Sequence, residues 1–149
     1  MARTTHQRDR RSTLLQVAAC GLLLAGSRLH AFETATDDAP ERRWFDAAEA
    51  MKRLAQSWGD QPYGAVLVAD GVVIGEGPSR VVKSGDPTAH AEREAIRDAQ
   101  RRLGRTVLAG SVLYSTSRPC RRCEAAAAEA GILRMIHGPA LTDAGPPTR

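Results

Sequence analysis

The chain has no apolar run long enough to cross a bilayer. Its most apolar stretch, Leu14 to Gly26, falls short of the roughly 20 residues that a membrane-spanning helix needs. Nor is charge of one sign spread along the chain. The formal net charge of +4 is confined to residues 1–31, where five arginines (Arg3, Arg8, Arg10, Arg11, Arg28) face one acid, Asp9, and residues 32–149 carry 16 basic and 16 acidic side chains. A surface that tracks phosphates needs clustered positive charge, so nucleic acid is a disfavoured partner. Arg101, Arg102, Arg105, Arg118, Arg121 and Arg122 are read as solvated surface residues first and as a local patch second. Cysteine is scarce, with 3 residues, which excludes a disulfide-stapled scaffold. Internal repeats are missing too. What is present, 42% hydrophobic and 26% charged residues over 149 positions, suits one globular domain with a core of ordinary size.

Residues 1–31 have a basic start followed by the short apolar stretch, the pattern of an export signal. Asp9-Arg10-Arg11-Ser12-Thr13-Leu14-Leu15 resembles a twin-arginine signal, with a cleavage site expected near Leu29-His30-Ala31. Val17-Ala18-Ala19-Cys20 also resembles a lipoprotein box, but the apolar run continues past Cys20. The expectation is an exported, periplasmic protein that meets the membrane only through its leader, or a cytoplasmic one if the leader is not used. Residues 32–43 read as a polar linker, and an uncleaved anchor or basic tail is the alternative for the leader.

From Trp44 to Trp58, apolar residues recur at three and four (Phe45, Ala48, Met51, Leu54, Ala55), which predicts an amphipathic helix ended by Gly59 to Pro62. Gly64 to Ala69 reads as a strand, Asp70-Gly71 as a hairpin turn, and Val72 to Gly75 as the returning strand. Glu76 to Gly85 reads as a loop. Asp86 is expected to cap a helix with Pro87 in its first turn, running to Leu103 and stopped by Gly104. Ser111 to Ser115 is a third strand, Glu124 to Ala130 a third helix, and Ile132 to Ile136 a fourth strand. Residues 139–149, with Pro139, Gly145, Pro146 and Pro147, read as an irregular tail. This order predicts an α/β layered domain with a mixed sheet.

The residues that carry chemistry are Thr88-Ala89-His90-Ala91-Glu92 and Pro119-Cys120-Arg121-Arg122-Cys123. Both groups fall at expected helix starts. Two thiolates and one imidazole suit a tetrahedral zinc ion, and three protein ligands leave a fourth position for water, as in catalytic sites. Helix N-termini favour the thiolates. Glu92 is suited not to ligation but to proton transfer beside the metal. Taken singly, Cys-x-x-Cys is also a redox pair or structural knuckle, His90 a satisfied buried histidine, and Glu92 a first-turn acid favoured by the helix dipole. Together each group supplies what the other lacks, and the spacing follows the zinc deaminase signature of His-x-Glu and Pro-Cys-x-x-Cys.

On these residues, positions 44–138 resemble the cytidine deaminase superfamily, and most of all its guanine deaminase and small nucleobase or nucleoside deaminase branch. Asp86 to Glu92 is similar to that branch without a break, and Pro62-Tyr63-Gly64-Ala65 resembles its Pro-Phe-Gly-Ala. The resemblance implies a three-layer fold with a central mixed sheet flanked by helices. It implies Zn2+ on His90, Cys120 and Cys123, Glu92 as the catalytic proton shuttle, and a homodimer. The substrate it implies is a nucleobase or nucleoside, guanine first, then cytosine or another aminopurine. A tRNA adenosine deaminase-like enzyme and a non-catalytic zinc-binding relative are the rival readings. Substrate contacts are implied at Ala91 and at Ser79, which stands where the family usually has an asparagine that bonds the substrate ring. A hydroxyl makes fewer bonds than a carboxamide. Arg118 stands where an acid commonly precedes Pro-Cys, and with Arg121 and Arg122 it would suit an anionic substrate. The short stretch after Gly138 implies an open pocket or one completed by a partner subunit.

Overall fold

The computed structural model describes residues 41–149. The export signal expected at 1–31 and nearly all of the linker expected at 32–43 therefore lie outside the described residues. The elements are α1 (Arg42–Ser57), β1 (Gly64–Ala69), β2 (Val72–Pro78), α2 (Val81–Ser84), α3 (Ala91–Leu103), β3 (Val112–Ser115), α4 (Arg121–Glu129), β4 (Arg134–His137) and β5 (Thr142–Gly145). They form a five-stranded sheet in the order β2-β1-β3-β4-β5. Only β3 and β4 are parallel, joined by α4, and the other neighbours are antiparallel. The expected mixed sheet flanked by helices is present.

Strand β1 shows why its sequence is a continuous apolar run rather than an alternating one. Ala65 and Leu67 point into the core built with α3 and α4, together with Leu113 of β3 and Met135 of β4. Val66 and Val68 point the other way, with Tyr114 and Ile136, onto Trp44, Ala47 and Met51 of α1. A central strand covered on both faces has no polar side to show. Leu67 and Leu113 are fully buried, each stabilising the fold by about 1.5–3 kcal/mol. Asp70 and Gly71 both take positive φ (48° and 71°), as the expected tight hairpin requires.

Two glycines fix where α3 lies. A Cβ on Gly75 would strike the Ala95 carbonyl and Ala99, and one on Gly77 would strike the Ala91 carbonyl and the Ala95 amide. With only hydrogens there, the helix rests on the backbone of β2 itself.

Several boundaries differ from expectation. The linker is shorter than residues 32–43, because Arg42 and Arg43 already belong to α1. Asp86 does not cap α3. Its carboxylate accepts from the Thr88 amide at 2.8 Å and its carbonyl from the Ala89 amide at 3.0 Å, closing a local turn, and His90 is the N-cap instead. Strand β2 continues to Pro78 at the edge of the sheet, where proline is tolerated. The short helix α2 occupies part of the expected loop. The tail at 139–149 is not wholly irregular: β5 pairs antiparallel with β4. Its residues Thr-Asp-Ala-Gly are nearly all exposed, so backbone pairing forms it without an apolar face.

Candidate functional site

Helices α3 and α4 begin at one point in space. His90 caps α3 and Cys120 caps α4, both in extended conformation, and neither side chain bonds the helix it caps. Released from capping, the two side chains turn toward each other. His90 Nδ1 lies 3.7 Å from Cys120 Sγ and 3.6 Å from Cys123 Sγ, and the sulfurs are 3.6 Å apart. Cys123 reaches the cluster because it lies one turn along α4, on the face of Cys120. Its amide donates to the Cys120 carbonyl at 2.9 Å.

These separations test what the donors fit. Zinc bonds of about 2.3 Å to sulfur and about 2.0 Å to nitrogen place tetrahedral ligand atoms about 3.5–3.8 Å apart. The His/Cys/Cys set matches that spacing and is the group among the described residues placed to hold a metal ion. Both helix N-termini aim at it, so the partial positive charge of each favours thiolates. Without a cation the balance runs the other way. Burial, the Glu92 carboxylate and the neighbouring Cys120 push the Cys123 thiol far above its ordinary value. A divalent ion reverses that cost.

Three carboxylates are buried among the described residues: Asp60, Glu92 and Glu94. Glu94 is bonded by Arg97 at 2.7 Å and paired with Arg80 at 3.6 Å. Asp60 accepts from the Ser79 hydroxyl at 2.9 Å and from the amides of Gln61 and Lys83 at 2.7 and 2.8 Å. Burial pushes the Asp60 carboxyl up, but these bonds outweigh it and hold the group below its ordinary value. Glu92 has no cation partner among the described residues. It meets Cys123 Sγ, 3.6 Å from Oε2. Burial therefore raises its carboxyl, opposed in part by its own amide, the Cys123 thiol and His90. A buried acid left unpaired beside a metal-type donor set is suited to carrying protons.

The cluster opens on a cavity of about 610 Å³. His90, Ala91, Glu92 and Cys120 line it, as do Ser117 and Arg118 after β3. The segment before β1 contributes Gln61 and Tyr63. Of the two expected substrate contacts, Ala91 lines the cavity. Ser79 does not: it is fully buried with its hydroxyl committed to Asp60. Sequence reasoning passed over Gln61, although it adjoins the Pro62-Tyr63-Gly64-Ala65 motif that could have drawn attention to it.

The family model described as cytidine and deoxycytidylate deaminase zinc-binding region matches residues 39–138. The chain belongs to this deaminase family. A guanine deaminase of Bacillus subtilis is 50% identical over 62 residues, 42% of this chain and 40% of that protein. A tRNA-specific adenosine deaminase of Agrobacterium fabrum is 40% identical over 100 residues, 67% of this chain and 66% of that protein. The match thus spans less than two thirds of each of these deaminases. A solved structure from work on tRNA:A34 deaminases superposes with a TM-score of 0.62 and 41% identity, covering 64% of this chain and 70% of the other. Both motif segments, 88–92 and 119–123, lie inside the range matched by the deaminase family.

Proposed function

We propose that the chain is a zinc-dependent hydrolytic deaminase of a small amino-bearing heterocycle, with guanine the first candidate and cytosine or another aminopurine next. The observation that carries this reading is Glu92, buried and without a cation partner among the described residues, 3.6 Å from a sulfur of the His/Cys/Cys cluster. His90, Cys120 and Cys123 would hold the metal. When bound, zinc lowers the pKa of water and so supplies a nucleophile at neutral pH. Glu92 carries the first proton of that water to the ring nitrogen, and the second, lost by the hydroxyl then on the carbon, to the departing amine. The amino-bearing carbon gains the water oxygen as a carbonyl, and ammonia leaves. Its raised affinity for protons equips Glu92 for both halves of the transfer.

A second substrate reading, adenosine in tRNA, is favoured by the 40% identity to the Agrobacterium protein. The even balance of 16 basic and 16 acidic residues over 32–149 opposes it, because tRNA binding draws on clustered positive charge.

Ammonia release by the zinc-loaded chain decides between these readings. The panel holds guanine, cytosine, adenine, their nucleosides and nucleotides, and tRNA, with Glu92→Ala as control. Release from a free base that depends on Glu92 supports the proposal, and release from tRNA alone transfers it to the second reading. A zinc-bound chain inert on the whole panel is a binding protein rather than a deaminase of these compounds.

A further inference from the structure

We infer that Gln61 reads the ring edge of the substrate, and that the buried Asp60–Ser79 pair exists to hold it there. The inference rests on the deaminase reading above and concerns how that site selects a heterocycle.

Beside the amidine that reacts, guanine and cytosine each present a lactam edge, a ring N–H donor next to a carbonyl acceptor. The complementary side chain is a carboxamide, which offers one acceptor and two donors in a plane and pairs with such an edge through two bonds. The chain contains no asparagine. Its glutamines within the described residues are Gln56, Gln61 and Gln100. Gln100 donates to the Thr106 carbonyl at 2.9 Å, and Gln56 lies exposed on α1. Gln61 alone among them lines the cavity of His90 and Glu92. Its side-chain amide bonds no other group among the described residues, so both functions are free for a ligand.

Its backbone, by contrast, is clamped. The Gln61 amide donates to Asp60 Oδ1 at 2.7 Å, and its carbonyl accepts from Tyr63 at 2.7 Å. Asp60 is held in turn by the Ser79 hydroxyl at 2.9 Å and the Lys83 amide at 2.8 Å. The Tyr63 carbonyl accepts from the Ser79 amide at 3.1 Å. Ser79 thus serves recognition at one remove, as a positioning residue. Clamping the backbone of a reading residue reduces the entropy lost when its side chain engages a ligand.

Equilibrium dialysis of the zinc-loaded full chain in a Glu92→Ala background tests this without turnover. The probes are guanine and cytosine, with adenine and unsubstituted purine, which have no carbonyl edge, as controls. Gln61→Leu and Gln61→Glu are expected to weaken guanine and cytosine about 10-fold or more and adenine and purine less than about 2-fold. In the Glu92-competent chain, Gln61→Leu is expected to raise KM with kcat little changed. Unchanged affinity in both variants, or no binding of any base at millimolar concentration, overturns the inference. Ammonia release whose KM ignores Gln61 also overturns it and leaves the deaminase reading standing. Binding that depends on Gln61 without ammonia release does the reverse. Gln61 is exposed, so an unchanged melting temperature separates lost recognition from lost folding.

Discussion

Two faces of the first turn of α3 carry a buried glutamate each and treat it in opposite ways. Glu94 is paired with Arg97 of the same helix and with Arg80 at the start of α2. Glu92 faces the cavity and meets a thiol instead of a cation. Asp60, on the partnered side, is satisfied as fully as Glu94. A carboxylate that accepts bonds from fixed donors is fixed as an anion and contributes to stability, whereas one that is buried without them is costly to the fold and remains free to exchange protons. Burial alone does not tell the two apart; the partner set does.

The largest break of this contrast is Cys123→Ala. It removes a fully buried member of the His/Cys/Cys cluster and is expected to abolish metal binding, reduce turnover to background and lower the melting temperature, as metal analysis, ammonia assay and calorimetry would record. Full metal content in that variant would sink the ligand assignment. Next is Glu92→Gln. Turnover should fall about 10²- to 10⁴-fold with metal retained and stability equal or higher, because an unpaired buried acid has been made neutral. Glu94→Gln should do the opposite. Breaking a buried pair costs about 3–5 kcal/mol, but Arg80 and Arg97 are 43% and 36% exposed, so about 1–2 kcal/mol is expected, with turnover nearly intact. The smallest effect is the acid sensitivity of Asp60. Its folded-state pKa is lowered, so its contribution is complete above the unfolded value of about 4 and fades as pH falls through the folded one. Denaturant titrations should show a shallower loss of stability below about pH 4 in Asp60→Asn than in the parent chain.

The His/Cys/Cys cluster was legible in the sequence because each half is a local motif at a helix start, and a helix start fixes where its side chains aim. Strand β1 was legible because burial on both faces leaves an unbroken apolar run. The start of α3 was misread because Asp86-Pro87-Thr88 carries every signal of a cap and spends them on a turn of its own. Strand β5 left no mark, since an exposed edge strand is held by main-chain bonds that any residues can make. The free side chain of Gln61 and the buried hydroxyl of Ser79 are facts of tertiary packing. Ser79 is turned from its expected contact by Asp60, which stands 19 positions before it and carries no motif.

The contact of α3 with β2 through Gly75 and Gly77 has a consequence of a mechanical kind. A helix seated on side chains rests on a compliant cushion, but one seated on a bare strand rests on a hard stop. The distance from sheet to helix is then set by main-chain radii, and His90 and Glu92 inherit that tolerance at the end of the helix. A methyl group on either glycine acts as a shim under the helix. It is expected to carry the His90 imidazole and the Glu92 carboxyl away from the cysteines of α4, and a displacement near 1 Å is enough to cost about 10²-fold in rate.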